Sequence, residues 1–286
     1  MLEGIPKNMY QLKLGLSVHF FESDGLVRAN FENELDEIKA LGFDFVDFDV
    51  TGVWSSCNIP KANKELEKGL SAIRRKGLQL NAVHLPFRGL KDYSSLNDEY
   101  RKSVVQEAIS MMNVMDAYQP KFYIFHGSSG VFDLSEREDR KKTLKKSLSE
   151  MVDATNATVC IENLPRNCML NTSKETIEVV DGVPKVKICC DLNHFLQEKT
   201  EDAVLALGKR IATLHVSDHD YINERHVLPK DGKIDWMKVL TNLEKIGYDG
   251  VFNYEITMQA ENYVFYTFAD IKRNYDKLFE EYNARR

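Results

Sequence analysis

The sequence contains no hydrophobic run approaching the roughly 20 residues that cross a bilayer, so no membrane-spanning helix is expected. Its start, MLEGIPKNMYQLKLGLSV, lacks the apolar stretch and the small-residue cleavage site of a secretory signal peptide. It has only 5 cysteines, an odd number at no zinc-finger spacing, which is not the pattern of a disulfide-stapled secreted domain. These absences predict a cytoplasmic protein with reduced thiols.

An excess of positive charge is also missing. The 286 residues carry a formal net charge of −6, so no global basic field would attract a nucleic-acid backbone. Apolar residues make up 43% of the chain and charged residues 29%, which is typical of a folded globular protein. The composition therefore argues against nucleic-acid and membrane partners.

Short apolar runs alternate with amphipathic stretches along the whole chain. The runs are QLKLGLSV (11–18), FDFVDFDV (43–50), LQLNAV (78–83), KFYIF (121–125), ATVCI (157–161), VKICC (186–190), IATLHV (211–216) and GVFNYEI (250–256). Each is rich in β-branched or aromatic residues, as expected for strands covered on both faces. The pattern predicts one strand per run.

Helical periodicity fills the intervals between these runs. Phe31, Leu35 and Ile38 recur every three or four residues, which is the spacing of one helix face. Capping boxes, in which a Ser or Thr is followed three residues later by Glu, are predicted at Ser135 and Thr172. Each predicted strand is therefore followed by a predicted helix.

Eight strand–helix units in 286 residues predict an α/β fold, a single (β/α)8 TIM barrel domain that spans residues 1–286. The alternative is a doubly wound parallel sheet, which would need a glycine-rich phosphate turn after the first strand. At that position the sequence reads HFFESDG, which is no such turn. We therefore expect the barrel.

Polar residues collect at the ends of the predicted strands, where the loops of such a barrel meet at one mouth. These residues are three carboxylates and four histidines: Glu162, Asp191, Glu255, His84, His126, His194 and His215. Buried carboxylates need a positive partner, and no lysine or arginine occupies an equivalent strand end. A bound metal cation is the simplest partner.

Seven motifs spread along nearly the whole chain carry a family resemblance. They are NAVHLPF, YIFHGSSG, the IEN at 161–163, CDLNH, LHVSD, ERHVLPKDGKIDW and GYDGVFNYEI, of which the last three are the most specific. In this order and spacing, the chain resembles the xylose-isomerase-like barrels, the sugar phosphate isomerases and epimerases that share their fold with endonuclease IV. The resemblance implies a metal-dependent enzyme, and homo-oligomers are usual in such families.

The resemblance also implies site residues. Its direct metal ligands would be Glu162, Asp191, His215 and Glu255. A substrate-contacting histidine of the family matches His194. Two positions depart from the ketose 3-epimerases, because Cys168 stands where they carry a second glutamate and Tyr221 where they carry an arginine. The resemblance therefore supports the metal site better than the substrate pocket of a 3-epimerase.

Three carboxylates and one imidazole suit one Mn²⁺, Mg²⁺ or Co²⁺ ion per chain. Additional ligation by histidines would move the preference toward Zn²⁺, and the candidates are His84, His126 and His226. The cation would polarise a sugar carbonyl, and Glu162 and Glu255 would be the catalytic base and acid for proton transfer at the adjacent carbon. The predicted function is isomerisation or epimerisation of a sugar or sugar phosphate.

Further substrate contacts are predicted at Arg225, in the long 217–234 connection, and at Trp54, after the second strand. Three other functions stay open: an endonuclease IV-like multi-zinc phosphodiesterase, a metal-dependent dehydratase of a sugar or inositol derivative, and a non-catalytic sugar-binding barrel. The acidic net charge argues against the phosphodiesterase, as does the lack of basic and aromatic loops that could displace a base.

Overall fold

The computed structural model describes residues 9–19, 26–52, 59–87, 91–128, 130, 132–256 and 266–286. The strands are β1 Lys13–His19, β2 Phe45–Asp49, β3 Gln79–His84, β4 Phe122–His126, β5 Thr158–Glu162, β6 Lys187–Asp191, β7 Ile211–His215, β8 Asp218–His219, β9 Glu224–Val227 and β10 Val251–Tyr254. The helices are α1 Phe31–Ala40, α2 Ile59–Arg75, α3 Asp98–Met115, α4 Arg137–Val152, α5 Ser173–Val180, α6 Thr200–Leu207, α7 Trp236–Lys245 and α8 Phe268–Arg285.

Eight of these strands form one parallel sheet in the order β10-β1-β2-β3-β4-β5-β6-β7. Its two outer strands meet at one end, where Val216 bridges to Tyr254 and the Val216 N–H donates to the Asn253 carbonyl at 2.8 Å. A helix lies between each of these eight strands and the next, and one follows β10, so the predicted (β/α)8 barrel is confirmed. The doubly wound alternative is wrong, because an open sheet would leave these two strands apart.

Apolar packing fills the space between the sheet and the helices. On α1, the predicted face of Phe31, Leu35 and Ile38 is buried. Successive residues of a strand point to opposite faces of the sheet. Cys160 and Cys189 therefore face the barrel interior together with Glu162 and Asp191, which end the same two strands two residues later. A small apolar cluster on β3, β4, β5 and β6 therefore lies inside the barrel, and the polar residues at the strand ends lie next to it.

The two predicted helix caps have different outcomes. The Thr172 side chain accepts the Glu175 backbone N–H at 3.3 Å, so Thr172 is the N-cap. The reciprocal half of the predicted capping box is not formed, because the Glu175 carboxylate accepts the Leu170 N–H and pairs with Arg137. The cap at Ser135 is wrong, because the Asp133 carboxylate accepts the Ser135 N–H at 2.9 Å and a single 3₁₀ turn precedes α4. The Ser135 hydroxyl donates to the same Asp133 carboxylate at 2.8 Å, and α4 begins two residues later, at Arg137.

The long connection between β7 and α7 is structured. It contains the antiparallel hairpin of β8 and β9, which lies outside the barrel sheet. None of the helices in the described ranges combines the length and the apolar character that crossing a bilayer requires.

Candidate functional site

Four polar side chains meet at the carboxyl ends of the barrel strands. Glu162, Asp191 and His215 are the last residues of β5, β6 and β7, and Glu255 directly follows β10. Because parallel barrel strands end at one rim, these positions converge despite their separation in sequence. Each contributes a ligand-capable atom within 4.8 Å of those of the other three. We call these four residues the rim cluster.

The rim cluster is shielded from water. Glu162, Asp191 and His215 are at most 1% exposed, and the Glu255 side chain is 22% exposed. The His215 Nδ1 atom lies 3.4 Å from Glu162 Oε2 and 3.2 Å from Glu255 Oε2. Within the described ranges, every ion-pair partner of the three carboxylates is a histidine. Three acids therefore share one buried site without a lysine or arginine partner.

This crowding drives the carboxyl pKa values apart. Burial raises the pKa of Asp191 well above its ordinary value, and the charges of Glu255 and Glu162 raise it further. Burial also opposes ionisation of Glu162, but the charges of His215 and His126 hold its pKa well below the ordinary range. For Glu255, His215 outweighs burial and lowers the pKa. The two glutamates are thus the ionised members of the cluster.

The donor set fits a divalent cation. Asp191 Oδ2 is buried without a hydrogen-bond partner, and so are both ring nitrogens of His215, of which Nδ1 faces Glu162 and Glu255. Unpaired buried polar atoms are costly, and a cation placed among these groups would satisfy Asp191 Oδ2 and His215 Nδ1. Carboxylate oxygens with one imidazole nitrogen are ligands that Mn²⁺, Mg²⁺ and Co²⁺ accept.

Two of the predicted additional metal ligands contact the same Glu162 oxygen as His215 does. The Nε2 atoms of His84 and His126 are 3.0 and 3.5 Å from Glu162 Oε2. The three residues form a second group whose ligand atoms lie within 4.8 Å of one another. The Phe87 ring covers it, with its centroid 4.4 Å from that of His126. The two groups share Glu162.

The third predicted additional ligand, His226, is not part of these groups. It lies on β9 with its Nδ1 atom 3.5 Å from Ser217 Oγ and 3.4 Å from the Glu255 carbonyl oxygen. In the described residues, no group of three or more ligand-capable side chains includes it. The neighbouring Glu224 carboxylate forms an ion pair with Arg166.

His194, predicted to contact substrate, is held beside the rim cluster. Its Nδ1 atom lies 2.8 Å from the Asn163 carbonyl oxygen, which can only accept a hydrogen bond, so the proton is assigned to Nδ1. Burial lowers the pKa of His194 to about 4, so the ring is neutral near pH 7. Its Nε2 atom therefore keeps a lone pair that can accept a hydrogen bond from a hydroxyl group.

The other two predicted substrate-contacting residues, Arg225 and Trp54, are not seen beside the rim cluster in the described residues. The Arg225 Nε–H donates to Asp220 Oδ2 at 2.7 Å, and the Arg225 backbone N–H donates to Asn193 Oδ1 at 3.2 Å. Its guanidinium group is thus engaged within the hairpin. Trp54 lies outside the described residues.

The departures from the 3-epimerase pattern are visible in the structure. Tyr221 packs its ring edge-on to His219 at a centroid distance of 4.5 Å. Cys168 is a half-buried free thiol, and its carbonyl oxygen accepts a hydrogen bond from Arg137 at 2.8 Å. A phenol and a thiol therefore replace the charged groups expected at these positions.

Sequence reasoning missed the side chain that joins two strand ends. Asn163 donates through Nδ2 to the Asp191 carbonyl oxygen and accepts the Asp191 N–H through Oδ1, each at 2.9 Å. This reciprocal pair fixes β5 against β6 next to two members of the rim cluster. The signal in the sequence was the asparagine directly after the strand-ending glutamate, in the IEN motif.

A parallel barrel with a carboxylate–histidine cluster at its mouth defines the structural class of this chain. The family model of the xylose isomerase-like TIM barrel matches residues 35–273. The chain therefore belongs to this family, and the predicted membership is confirmed.

Relatives in this family are sugar epimerases and isomerases. A D-psicose 3-epimerase of Enterocloster bolteae is 23% identical over 234 residues, which cover 78% of this chain and 75% of that protein. An inosose isomerase of Bacillus velezensis is 22% identical over 255 residues, covering 83% and 87%. The solved structure of a D-tagatose 3-epimerase-like protein matches with a TM-score of 0.76 at 20% identity, over 96% of this chain and 99% of that one. These relatives support an isomerase-type enzyme.

Proposed function

We propose that this chain is a divalent-metal-dependent isomerase or epimerase that acts on a sugar or sugar phosphate by proton transfer next to a carbonyl group. The observation that carries the proposal is the rim cluster, in which two glutamates flank Asp191 and His215 within 4.8 Å. A divalent ion held by these four residues would polarise the carbonyl and offset the negative charge that develops on its oxygen. The names of the relatives support a sugar substrate.

The two glutamates supply the proton transfer. Both carboxyl pKa values are lowered, so both groups are ionised near neutral pH and can accept a proton from carbon. They enter the site from β5 and from the end of β10, with β6 and β7 between them in the sheet. One glutamate removes the proton from carbon and later releases it to solvent, and the other takes a proton from solvent and delivers it to the neighbouring carbon or to the opposite face of the same carbon.

His194 orients the substrate in this proposal. A neutral ring with its proton on Nδ1 offers Nε2 as an acceptor, which suits a sugar hydroxyl and not a carbonyl oxygen. The Asn163 carbonyl oxygen fixes the ring, so this preference is built in before substrate arrives. We expect the substrate to carry a hydroxyl group next to its carbonyl.

The endonuclease IV-like phosphodiesterase is the second candidate, because the His84, His126 and Glu162 group offers a second place for an ion. Against it, Glu224, at the position of a further ligand in that enzyme, pairs with Arg166. The net charge of −6 also opposes binding to DNA. A dehydratase would use the same residues and differs only in its product.

The test is a deuterium-exchange screen of ketoses, ketose phosphates and inositol-derived ketones with added Mn²⁺, Co²⁺, Mg²⁺ or Zn²⁺. We expect solvent deuterium to enter the carbon next to the carbonyl, and Glu162→Gln and Glu255→Gln to lower the exchange rate by at least about 10³-fold. Both variants should keep the wild-type circular dichroism spectrum, since each removes a charge from a crowded site. Glu99→Gln, on the exposed face of α3, is the matched control and should exchange normally.

Other outcomes assign the other functions. Loss of water from the substrate would indicate a dehydratase, and cleavage of DNA at abasic sites would indicate the phosphodiesterase. Binding of a sugar without exchange, in the presence of each metal, would contradict an isomerase.

A further inference from the structure

Beneath the rim cluster, five of the eight barrel strands place a polar residue inside the barrel. The polar layer consists of five inward-facing residues on five strands: Ser17, Asp47, Asn81, Thr213 and Asn253. All except Ser17 are at most 1% exposed. The interior of such a barrel is ordinarily filled by branched apolar side chains, and a buried carboxylate among them is unfavourable unless it is compensated. The polar layer therefore needs a reason.

Asp47 lies at the centre of this layer and is fixed from two sides. Its Oδ1 atom accepts the Asn81 Nδ2–H at 2.7 Å, and its Oδ2 atom accepts the Asn253 Nδ2–H at 2.9 Å. Asn81 also donates to Thr213 Oγ1 at 3.1 Å, and Asn253 donates to Ser17 Oγ at 2.8 Å. The carboxylate is thus held by a network that reaches across the barrel.

The side chain that lies against the charged end of Asp47 is a member of the rim cluster. Within the described residues, the ion-pair contact of Asp47 is to His215, whose Nε2 atom lies 3.4 Å from Asp47 Oδ2. The other ring nitrogen, Nδ1, faces Glu162 and Glu255. His215 therefore has Asp47 on one side and the rest of the cluster on the other.

This placement matters because an imidazole that binds a cation is neutral and carries one proton and one lone pair. A carboxylate beside Nε2 favours the proton there, which leaves the lone pair on Nδ1, toward the cluster. A carboxylate hydrogen-bonded to the far nitrogen of a ligating histidine also fixes the ring orientation and makes the near nitrogen a better donor.

We propose that Asp47 is a positioning residue of the metal centre, which holds the Nε2 proton of His215 and so directs Nδ1 toward a divalent cation. The inference rests on the proposed function, because it assumes that the rim cluster binds an ion. The asparagines on either side keep the carboxylate in place. Asp47, with Asn81 and Asn253 beside it, then supports one ligand of the site above.

The test compares Co²⁺ binding by the wild type and by Asp47→Asn, which removes the charge and preserves the size. We expect the variant to raise the Kd for Co²⁺ by about 10- to 100-fold and to change the visible absorption spectrum of the bound ion. Ser17→Ala is the matched control, because it removes one hydrogen bond from the same layer without touching His215. Its Kd and spectrum should match those of the wild type.

A purely structural role would lower the Tm of the metal-free protein and leave the Kd and the Co²⁺ spectrum unchanged, and that result overturns the inference. If Asp47→Asn does not fold, Asn81→Ala decides. This variant keeps the Asp47 charge but removes one of the two hydrogen-bond donors that hold the carboxylate. The Kd for Co²⁺ should therefore rise, by less than the roughly 10- to 100-fold increase expected for Asp47→Asn. An unchanged Kd would count against a positioning role of Asp47. A wild-type protein that binds no Co²⁺ would overturn both this inference and the proposed function.

Discussion

At the scale of single residues, burial keeps His219 neutral near pH 7. His219, the last residue of β8, is buried; its Nδ1 atom accepts the Tyr221 N–H at 3.0 Å, and its Nε2 atom lies 3.1 Å from Thr200 Oγ1. These contacts suit a neutral ring with its proton on Nε2. Burial lowers the pKa of His219 to about 4.

This lowered pKa predicts a loss of stability in acid. The folded pKa is about 4 and that of an unfolded chain about 6.5, so the unfolded state binds the proton first as the pH falls. Between these values, His219 should remove about 1.4 kcal/mol of unfolding free energy per pH unit. Urea unfolding of His219→Gln and the wild type at pH 7, 6 and 5 measures this, and the variant should show a shallower dependence. Equal slopes would mean that His219 titrates normally in the folded protein.

At the scale of elements, one carboxylate organises the connection that carries the β8–β9 hairpin. Asp218 accepts the backbone N–H groups of Lys230 and Ile234 at 2.8 and 3.1 Å, and the indole N–H of Trp236 at 2.7 Å. Gly232 is required here, because a Cβ atom would overlap the Asp218 carboxylate. The predicted long loop is therefore an ordered structure tied to the start of α7.

Replacing this carboxylate should release the hairpin. Asp218→Asn can accept fewer of these hydrogen bonds, and we expect a loss of about 1.5–3 kcal/mol of unfolding free energy. Amide hydrogen exchange should accelerate in β9, which carries His226, and more than in the barrel strands. Asp249→Asn, an exposed aspartate at the opposite end of the barrel, is the control. Uniform exchange in Asp218→Asn would show that other contacts hold the hairpin.

The elements and the rim could be predicted from sequence because both follow local rules. Apolar runs mark strands, and polar residues that end them, such as Glu162 and Asp191, must share one edge of a parallel barrel. The contact of Asp47 with His215 follows no local rule, since it depends on barrel closure and on the inward alternation of two distant strands. The predicted cap at Ser135 is wrong because Asp133 binds both the N–H and the hydroxyl of Ser135, and only the folded turn brings these groups together.

At the scale of the whole molecule, barrel closure forces three carboxylates together, and this stores repulsion that a cation would relieve. A divalent ion at 100 times its Kd should stabilise the fold by about 2.7 kcal/mol, provided that it binds only the folded state. Thermal unfolding with EDTA and with Mn²⁺ should show a higher Tm with the ion. Asp191→Asn should abolish that increase, and Glu99→Gln should retain it. An increase of the same size in Asp191→Asn would place the ion elsewhere.

The most direct measurement is anomalous diffraction from crystals soaked in Mn²⁺, which locates the ion without reference to any substrate. We predict one peak per chain, about 2.0–2.6 Å from an oxygen or nitrogen atom of each of Glu162, Asp191, His215 and Glu255. A peak held instead by His84, His126 and Glu162 alone, or no peak at the barrel mouth, would contradict the account.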